Sequence, residues 1–239
     1  MKKLTLCLIL LVAFTSFNAF SQTVVCEDSF NVLSPWNPSY GSWMVSGGEL
    51  VQTSLTAGMA MINRPVEQAG VYQVEFTASY IDGGFKNERA LMEGKLHGGF
   101  GIHVGVDTPP AGKAWGNSKS YLLWVNMDTE VSETSPHYGF RAQVYKSDSH
   151  SRMNLVRELN TEIVYPDEIE EALYYLDYYI PFRIVVNTEN GEVRIYDPVD
   201  EDYYYYFNLD PGMLKGSYVS LRTNSLSMAF DDFRVSRLR

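Results

Sequence analysis

The chain has 239 residues, a formal net charge of -10 at pH 7 and 14% aromatic residues. An acidic surface repels phosphate backbones and anionic lipid headgroups, so the charge argues against nucleic-acid partners and against binding to membrane surfaces. Neutral glycans, divalent cations and basic protein partners remain compatible with it. The length suits one well-filled domain, and no linker or internal repeat divides the sequence.

The amino terminus has the pattern of a cleaved secretory signal. Two lysines precede an apolar run over residues 4–14, and a small-residue exit follows. The run is too short to span a membrane comfortably, and no later segment approaches ~20 apolar residues. We therefore predict a signal peptide at residues 1–21 and a single domain at 22–239. Export would place this domain in the periplasm, at the cell surface or outside the cell.

Apolar and polar residues alternate along most of the chain, as is typical of half-buried β-strands. The segment VYQVEFTAS, for example, places Tyr72, Val74 and Phe76 on one face. Asn190-Gly191, between two strand-like runs, favours a hairpin with a type I′ turn. Many such runs separated by turn residues predict an antiparallel two-sheet sandwich. The clearest runs are 71–79, 99–106, 120–128, 139–146, 180–197, 216–223 and 225–235.

One segment departs from this alternation. PDEIEEALYYL, residues 166–176, begins with proline and early acidic residues and then carries Ile169, Leu173 and Leu176 at helical spacing. We predict a short surface helix inserted between strands, where it would cap one open edge or end of the sandwich.

The order of these motifs resembles one fold family. The pieces that carry the resemblance are EDSF, GSWMVSGGELVQ, VYQVEFTAS, FRIVVNTENGEVRIYD and the final GSYVSLRTNSLSMAFDDFRV. Together they resemble the concanavalin A-like, laminin-G-like jelly-roll domains of bacterial secreted proteins, over residues 26–235. The resemblance implies an all-β, two-sheet antiparallel jelly-roll sandwich. It is unspecific for activity, because this architecture hosts lectins, carbohydrate-binding modules, glycosidases, lyases and adhesive domains.

Two adjacent aspartates in the last strand-like run would be costly to bury unless a positive group answers them. In many jelly rolls of the kind that the chain resembles, acidic residues from both ends of the domain hold a structural calcium where the first and last strands meet. The resemblance therefore implies a Ca²⁺ site with carboxylate and carbonyl ligands. The alternative is that one aspartate faces solvent while the other bonds backbone N–H groups or Arg234. The implied carboxylate ligands are Glu27 or Asp28 and Asp231 or Asp232.

A row of outward side chains on three neighbouring runs is the predicted ligand site. Sugar recognition uses an aromatic face that stacks on the ring's C–H groups, and planar amide or guanidinium groups that pair with hydroxyls. Gly101 and Gly105 flank His103 and should leave room above the sheet. We predict polysaccharide or glycan binding here, the alternative being an ordinary face covered by residues 146–179. The row consists of His103, Trp124, Asn126, Arg141, Gln143 and Tyr145.

Motifs of catalysis are absent from the sequence. It lacks the Glu-x-Asp-x-x-Glu strand of retaining glycosidases on this fold, a G-x-S-x-G elbow, an H-E-x-x-H pair and a phosphate-binding glycine loop. We therefore predict a non-catalytic, lectin-like domain. One alternative is a structural or adhesive envelope protein that binds other proteins through the tyrosine-rich acidic runs 174–179 and 203–207. Another is a glycoside hydrolase or polysaccharide lyase that uses outward carboxylates such as Glu75 and Asp128.

Overall fold

The computed structural model describes most of the domain that follows the amino-terminal segment. The predicted signal peptide and the predicted helix at 166–176 both lie outside the described residues. The described residues are 22–84, 95–159, 178–198, 200 and 202–239.

Within this part of the chain, regular structure is almost entirely β. One 3₁₀ turn, Pro211–Met213, is the single helical segment among the described residues. The strands are β1 (Gln22–Asp28), β2 (Asn37–Tyr40), β3 (Trp43–Ser46), β4 (Glu49–Gln52), β5 (Ala60–Pro65), β6 (Val71–Gly83), β7 (His97–Val106), β8 (Lys119–Asp128), β9 (Gly139–Asp148), β10 (Met153–Glu158), β11 (Ile180–Asn187), β12 (Glu192–Tyr196), β13 (Tyr204–Asn208), β14 (Tyr218–Asn224) and β15 (Leu226–Leu238).

The strands form two antiparallel sheets that pack against each other. Sheet A has the order β13-β12-β11-β6-β15-β4-β3, and β1 also pairs with β15. Sheet B has the order β10-β9-β8-β7-β14-β5-β2. The predicted all-β, two-sheet antiparallel sandwich is therefore confirmed, and its first and last strands lie side by side.

The core lies between the two sheets and follows the alternation of the sequence. Val74 and Phe76 of β6 are buried from one side, and Ile102 of β7 is buried from the other. Phe182 of β11 joins the sheets, because it stacks on Phe76 with ring centroids 4.9 Å apart and meets Phe100 edge-on at 5.7 Å. Removing this apolar surface from water is the main driving force for folding.

The β11–β12 hairpin forms where the sequence predicts it, but with a different turn. A type I′ turn requires positive φ at both central residues. Gly191 has a φ of 81°, whereas Asn190 is absent from the residues with positive φ. The backbone N–H of Gly191 instead donates to the carbonyl of Asn187 at 2.9 Å, which gives a longer connection.

A β-bulge in β15 explains the adjacent aspartates. The register with β6 shifts between Asp231 and Arg234, so one extra residue is accommodated, and Asp232 takes a φ of 51°. Aspartate tolerates this left-handed conformation better than most residues, and a bulge re-aims the side chains around it. Phe230 and Phe233 consequently both reach the core, while both carboxylates stay outside it.

Candidate functional site

The predicted sugar-binding row lies together on the outer face of sheet B, but five of its six side chains are buried and the sixth, Tyr145, is half-buried. His103 and Gln143 have no exposed surface, and Trp124 keeps 7% of its own. The alternation correctly separates these side chains from the core. The predicted exposure of the row is wrong, because loops of the same chain cover this face. Its role in ligand binding stays a prediction.

One cover is the connection between β8 and β9, residues 129–138, which we call the 129–138 loop. Three side chains of the row donate hydrogen bonds to three consecutive carbonyls of this loop. The bonds run from Gln143 Nε2 to Pro136 (2.7 Å), from Asn126 Nδ2 to His137 (3.3 Å) and from Arg141 Nε to Tyr138 (2.8 Å). The hydroxyl of Tyr145 also lies 3.0 Å from His137 Nδ1. Planar groups that were expected to bind sugar hydroxyls therefore bind the chain itself.

The other cover is the connection between β7 and β8, residues 107–118, which we call the 107–118 loop. Arg222 Nη2 donates to the carbonyl of Ala114 in this loop at 3.0 Å, and Arg222 Nη1 lies 3.1 Å from His103 Nε2. Burial, and to a lesser degree the charge of Arg222, holds the pKa of His103 well below its usual value. His103 is therefore a neutral ring inside a buried polar network.

The glycines beside the row leave no space above the sheet. A Cβ atom at Gly101 would lie 2.0 Å from the carbonyl oxygen of Leu123, and one at Gly105 would lie 2.8 Å from Leu214 Cα. At Gly99 a Cβ atom would meet the Trp124 ring at 2.2 Å. These glycines permit close packing of other groups, so the expectation of an open platform at residues 101 and 105 is corrected.

The carboxylate of Asp28, one of the predicted calcium ligands, already has a full set of partners. Arg64 forms an ion pair with Asp28 Oδ2, and Trp36 Nε1 donates to the same oxygen at 3.1 Å. The backbone N–H of Phe30 donates to Oδ1 at 2.8 Å. Arg64 itself lies between aromatic rings, with its guanidinium carbon 5.5 Å from the Trp36 ring centroid and 5.7 Å from that of Phe233. A guanidinium therefore supplies the positive charge at the junction of β1 and β15.

The other predicted calcium ligands do not assemble into a cage. Glu27 pairs with Arg234 at 3.2 Å on the surface. Asp231 Oδ1 accepts from the backbone N–H of Asp232 at 2.8 Å, and burial raises the pKa of the Asp231 carboxyl. In the parts of the chain that the structure describes, no three His, Cys, Asp or Glu side chains come together as a metal site. Because Arg64 already compensates Asp28, these carboxylates are a poor set of calcium ligands, and the calcium site that the resemblance implies stays a prediction.

An open groove of about 860 Å³ crosses the outer face of sheet A. We call it the sheet A groove. It follows strands β1, β15, β6, β11 and β12, and its lining combines exposed or half-buried polar side chains with apolar residues such as Pro181 and Phe182. Its charged and aromatic lining includes Glu27, Glu75, Arg183, Tyr196, Asp232 and Arg234.

The floor of the sheet A groove is a cross-strand row of alternating charge. Strand pairing places Glu27 opposite Arg234, Arg234 opposite Glu75, and Glu75 opposite Arg183. The Arg183 guanidinium carbon then lies 3.9 Å from the centroid of the Tyr196 ring. The row ends in tyrosines, since Tyr196 pairs with Tyr204 of β13, their ring centroids 5.4 Å apart.

Exposed tyrosines continue beyond the groove. Tyr203, Tyr204 and Tyr206 each keep 40% or more of their surface at the edge of sheet A, and Tyr178 and Tyr179 are exposed as well. The remainder of the 174–179 run lies outside the described residues. Among the described residues, no helix is long and apolar enough to cross a membrane.

Comparison with solved structures identifies the architecture. A Bacillus subtilis protein of unknown function with a galectin-like fold matches with a TM-score of 0.54 and 12% identity, over 91% of this chain and 98% of that one. LamA from Zobellia galactanivorans, in complex with laminaritriose and laminaritetraose, matches with a TM-score of 0.53 and 12% identity, over 92% and 100%. The fold is a concanavalin A-like jelly roll.

Another jelly-roll neighbour is the CBM2 module of the evolved Dit of Lactobacillus casei BL23 phage J-1. It matches with a TM-score of 0.52 and 8% identity, over 91% of this chain and 96% of that module. The sequence matches no protein-family model and no curated protein. At these identities the comparisons establish the fold alone, so the function has to be argued from the site.

Sequence reasoning noted the outward carboxylate of Glu75 but missed the groove around it. The signal was present, because Arg183 and Tyr196 also occupy outward positions of alternating strands. What the sequence does not provide is the register, which brings β11 beside β6 and β6 beside β15.

Proposed function

We propose that this chain is an exported, non-catalytic carbohydrate-binding domain that holds a glycan in the sheet A groove. The observation that carries this proposal is the groove itself, an open trough of about 860 Å³ that combines carboxylates, guanidiniums and a tyrosine face. Carboxylates accept and guanidiniums donate hydrogen bonds in fixed planar geometries, and a tyrosine ring offers a flat face to the C–H groups of a sugar.

The shared jelly-roll architecture supports the proposal. LamA, which shares the architecture, was solved with laminaritriose and laminaritetraose, so a jelly roll of this size can hold a short linear glycan. The row on sheet B is less suited, because its amide and guanidinium groups already bond the 129–138 loop. A ligand there would first have to displace that loop.

A glycan array probed with the purified mature domain tests this function. The matched pair of variants is Tyr196→Ala, inside the groove, and Trp115→Ala, an aromatic residue that is 49% exposed in the 107–118 loop. We expect selective glycan binding that Tyr196→Ala weakens by about tenfold, the loss of one good ring contact, and that Trp115→Ala leaves unchanged. A blank array from folded protein would overturn the proposal.

Export is a separate part of the proposal and has a separate test. It is supported by the basic start, apolar run and small-residue exit of residues 1–21. Expression of the full chain in a bacterium, followed by fractionation and mass measurement, should give a mature protein that begins near Gln22 outside the cytoplasm. A full-length cytoplasmic protein would contradict export and leave the glycan site untouched.

The exposed tyrosines favour a second candidate, an adhesive protein that binds other proteins. Tyr203, Tyr204 and Tyr206 lie on or beside β13, the terminal strand of sheet A. Tyrosine offers rigid contact area at low entropic cost, which suits protein partners as well as glycans. Self-association, or fractionation with an envelope complex, in a protein without glycan affinity would support this candidate.

A further inference from the structure

We infer that the sheet A groove takes a linear, uncharged glycan lying across the strands and rejects polymers of uronic acids or sulfated sugars. This inference rests on the proposed function, because it names the class of glycan that the same groove binds. It is supported by the order of charges on four neighbouring strands, by the tyrosines on the next two strands, and by the excess of carboxylates around them.

The alternating row suits groups that both donate and accept hydrogen bonds. An ionised carboxylate only accepts, and a guanidinium only donates. A ligand that crosses the strands therefore meets Glu27, Arg234, Glu75 and Arg183 as acceptor, donor, acceptor and donor. Arg234 already donates one N–H to Glu27 at 3.2 Å and Arg183 lies against the Tyr196 ring, so a ligand would use their remaining N–H groups and the second oxygen of Glu27. A sugar hydroxyl satisfies either kind of position. The carboxylate of a uronic acid or the sulfate of a sulfated sugar satisfies only the arginines and opposes the glutamates.

The spacing of the row also suits a chain of sugars. Neighbouring strands lie about 4.8 Å apart, so a row over six strands extends for roughly 24 Å. Tyr196 and Tyr204 close one end of the row. Arg183 lies over the Tyr196 ring and Arg194 over the Tyr204 ring, and Tyr204 keeps 40% of its surface exposed for contact with a sugar ring. A linear oligosaccharide laid perpendicular to the strands would meet polar groups along most of its length and an aromatic face at one end.

The net charge of the groove opposes anionic ligands. Among the described residues, its lining carries the carboxylates of Glu27, Asp28, Glu75, Asp197 and Asp232 against the guanidiniums of Arg183 and Arg234. Arg64 compensates Asp28 from beneath, which still leaves an excess of negative charge. An anionic polymer would bring its charge beside these carboxylates in a partly desolvated trough, where repulsion is stronger than in bulk water.

Glu75 is the central acceptor of the row. Its side chain is half-buried at the centre of the row, between Arg234 on β15 and Arg183 on β11. Among the residues that the structure describes, its carboxylate has no hydrogen-bond or ion-pair partner. It is therefore the acceptor that a ligand hydroxyl can reach without breaking an existing bond.

Binding measurements on a matched panel of glycans test this role of Glu75. The panel contains neutral linear oligosaccharides, with alginate, polygalacturonate and a sulfated galactan as anionic polymers. The variants are Glu75→Gln and Tyr196→Ala in the groove, with Glu189→Gln in the exposed β11–β12 turn as control. We expect the domain to bind a neutral glycan, Glu75→Gln to weaken that binding by about tenfold or more, and Glu189→Gln to have no effect.

Three other outcomes would contradict the inference, the position of the ligand or the proposed function. Binding of anionic polymers alone would overturn this inference while the carbohydrate-binding function stands. Neutral-glycan binding that neither groove variant changes would overturn the placement of the ligand in the groove. If the native domain is folded, as a cooperative thermal unfolding transition would show, and binds no glycan of the panel, both this inference and the proposed function are overturned.

Discussion

The hydrogen-bond pattern around His103 sets its protonation state. A guanidinium cannot accept a hydrogen bond, so Arg222 Nη1 must donate to His103 Nε2. The proton of the neutral ring then sits on Nδ1, which donates to Ser120 Oγ at 3.0 Å. A protonated ring would place an N–H against the guanidinium inside a fully buried site. The network therefore requires a neutral histidine.

This requirement makes folding sensitive to acid. The folded pKa of His103 lies well below the unfolded value of 6.5, so the unfolded chain binds the extra proton first as the pH falls. The contribution of the neutral His103 to the free energy of unfolding is fully present above pH 6.5. It is lost progressively below that pH, by at most about 1.4 kcal/mol per pH unit. Urea unfolding of the native domain and of His103→Gln at several pH values measures it.

The variant His103→Gln has no titrating ring at this position, so its free energy of unfolding should fall less than that of the native domain between pH 7 and pH 5. The variant His150→Gln, at an exposed position and measured in the same way, controls for the loss of a histidine as such. Equal slopes in the native domain and in His103→Gln would contradict a buried neutral His103.

At the scale of the strand, alternation predicts which side chains face the core, but it does not predict which loops cover the outer face of sheet B. The faces of β6, β7 and β8 follow directly, because side chains on a strand alternate with a period of two. The 129–138 loop escapes this reasoning, since its contact with Gln143 and Arg141 is made by backbone carbonyls that carry no sequence signal. The bulge at Asp232 likewise depends on pairing with β6, which the local pattern does not encode.

The packing of Trp124 distinguishes a covered sheet face from a sugar platform. Its ring fills the space above Gly99, and its Nε1 lies 3.3 Å from Asn126 Oδ1. Trp124→Ala should therefore lower the free energy of unfolding by about 3–5 kcal/mol, as expected for a buried tryptophan. Glycan affinity of the folded variant, measured well below its unfolding temperature, should stay unchanged. Loss of binding by folded Trp124→Ala would move the site from the sheet A groove to sheet B.

At the scale of the whole molecule, the resemblance predicts the meeting of the chain ends but not the group that joins them. The pairing of β1 with β15 brings Asp28 opposite Phe233, as a jelly roll with adjacent termini requires. The sequence distance between Asp28 and Arg64 gave no reason to pair them. Only the strand order of both sheets brings β5 beneath the end of β1.

Arg64 should therefore make this junction independent of calcium. Asp28 and Arg64 are largely buried, with 13% and 8% of their side chains exposed, so removing the cation leaves an uncompensated carboxylate. Arg64→Met should cost about 3–5 kcal/mol of unfolding free energy. Arg234→Met, which removes an exposed pair with Glu27, should cost less than about 1 kcal/mol.

In the native domain, EDTA and added Ca²⁺ should give the same unfolding temperature, because the charge at the termini is already neutralised. A rise of several degrees with Ca²⁺ would show that the acidic residues at the chain ends hold a metal in spite of Arg64.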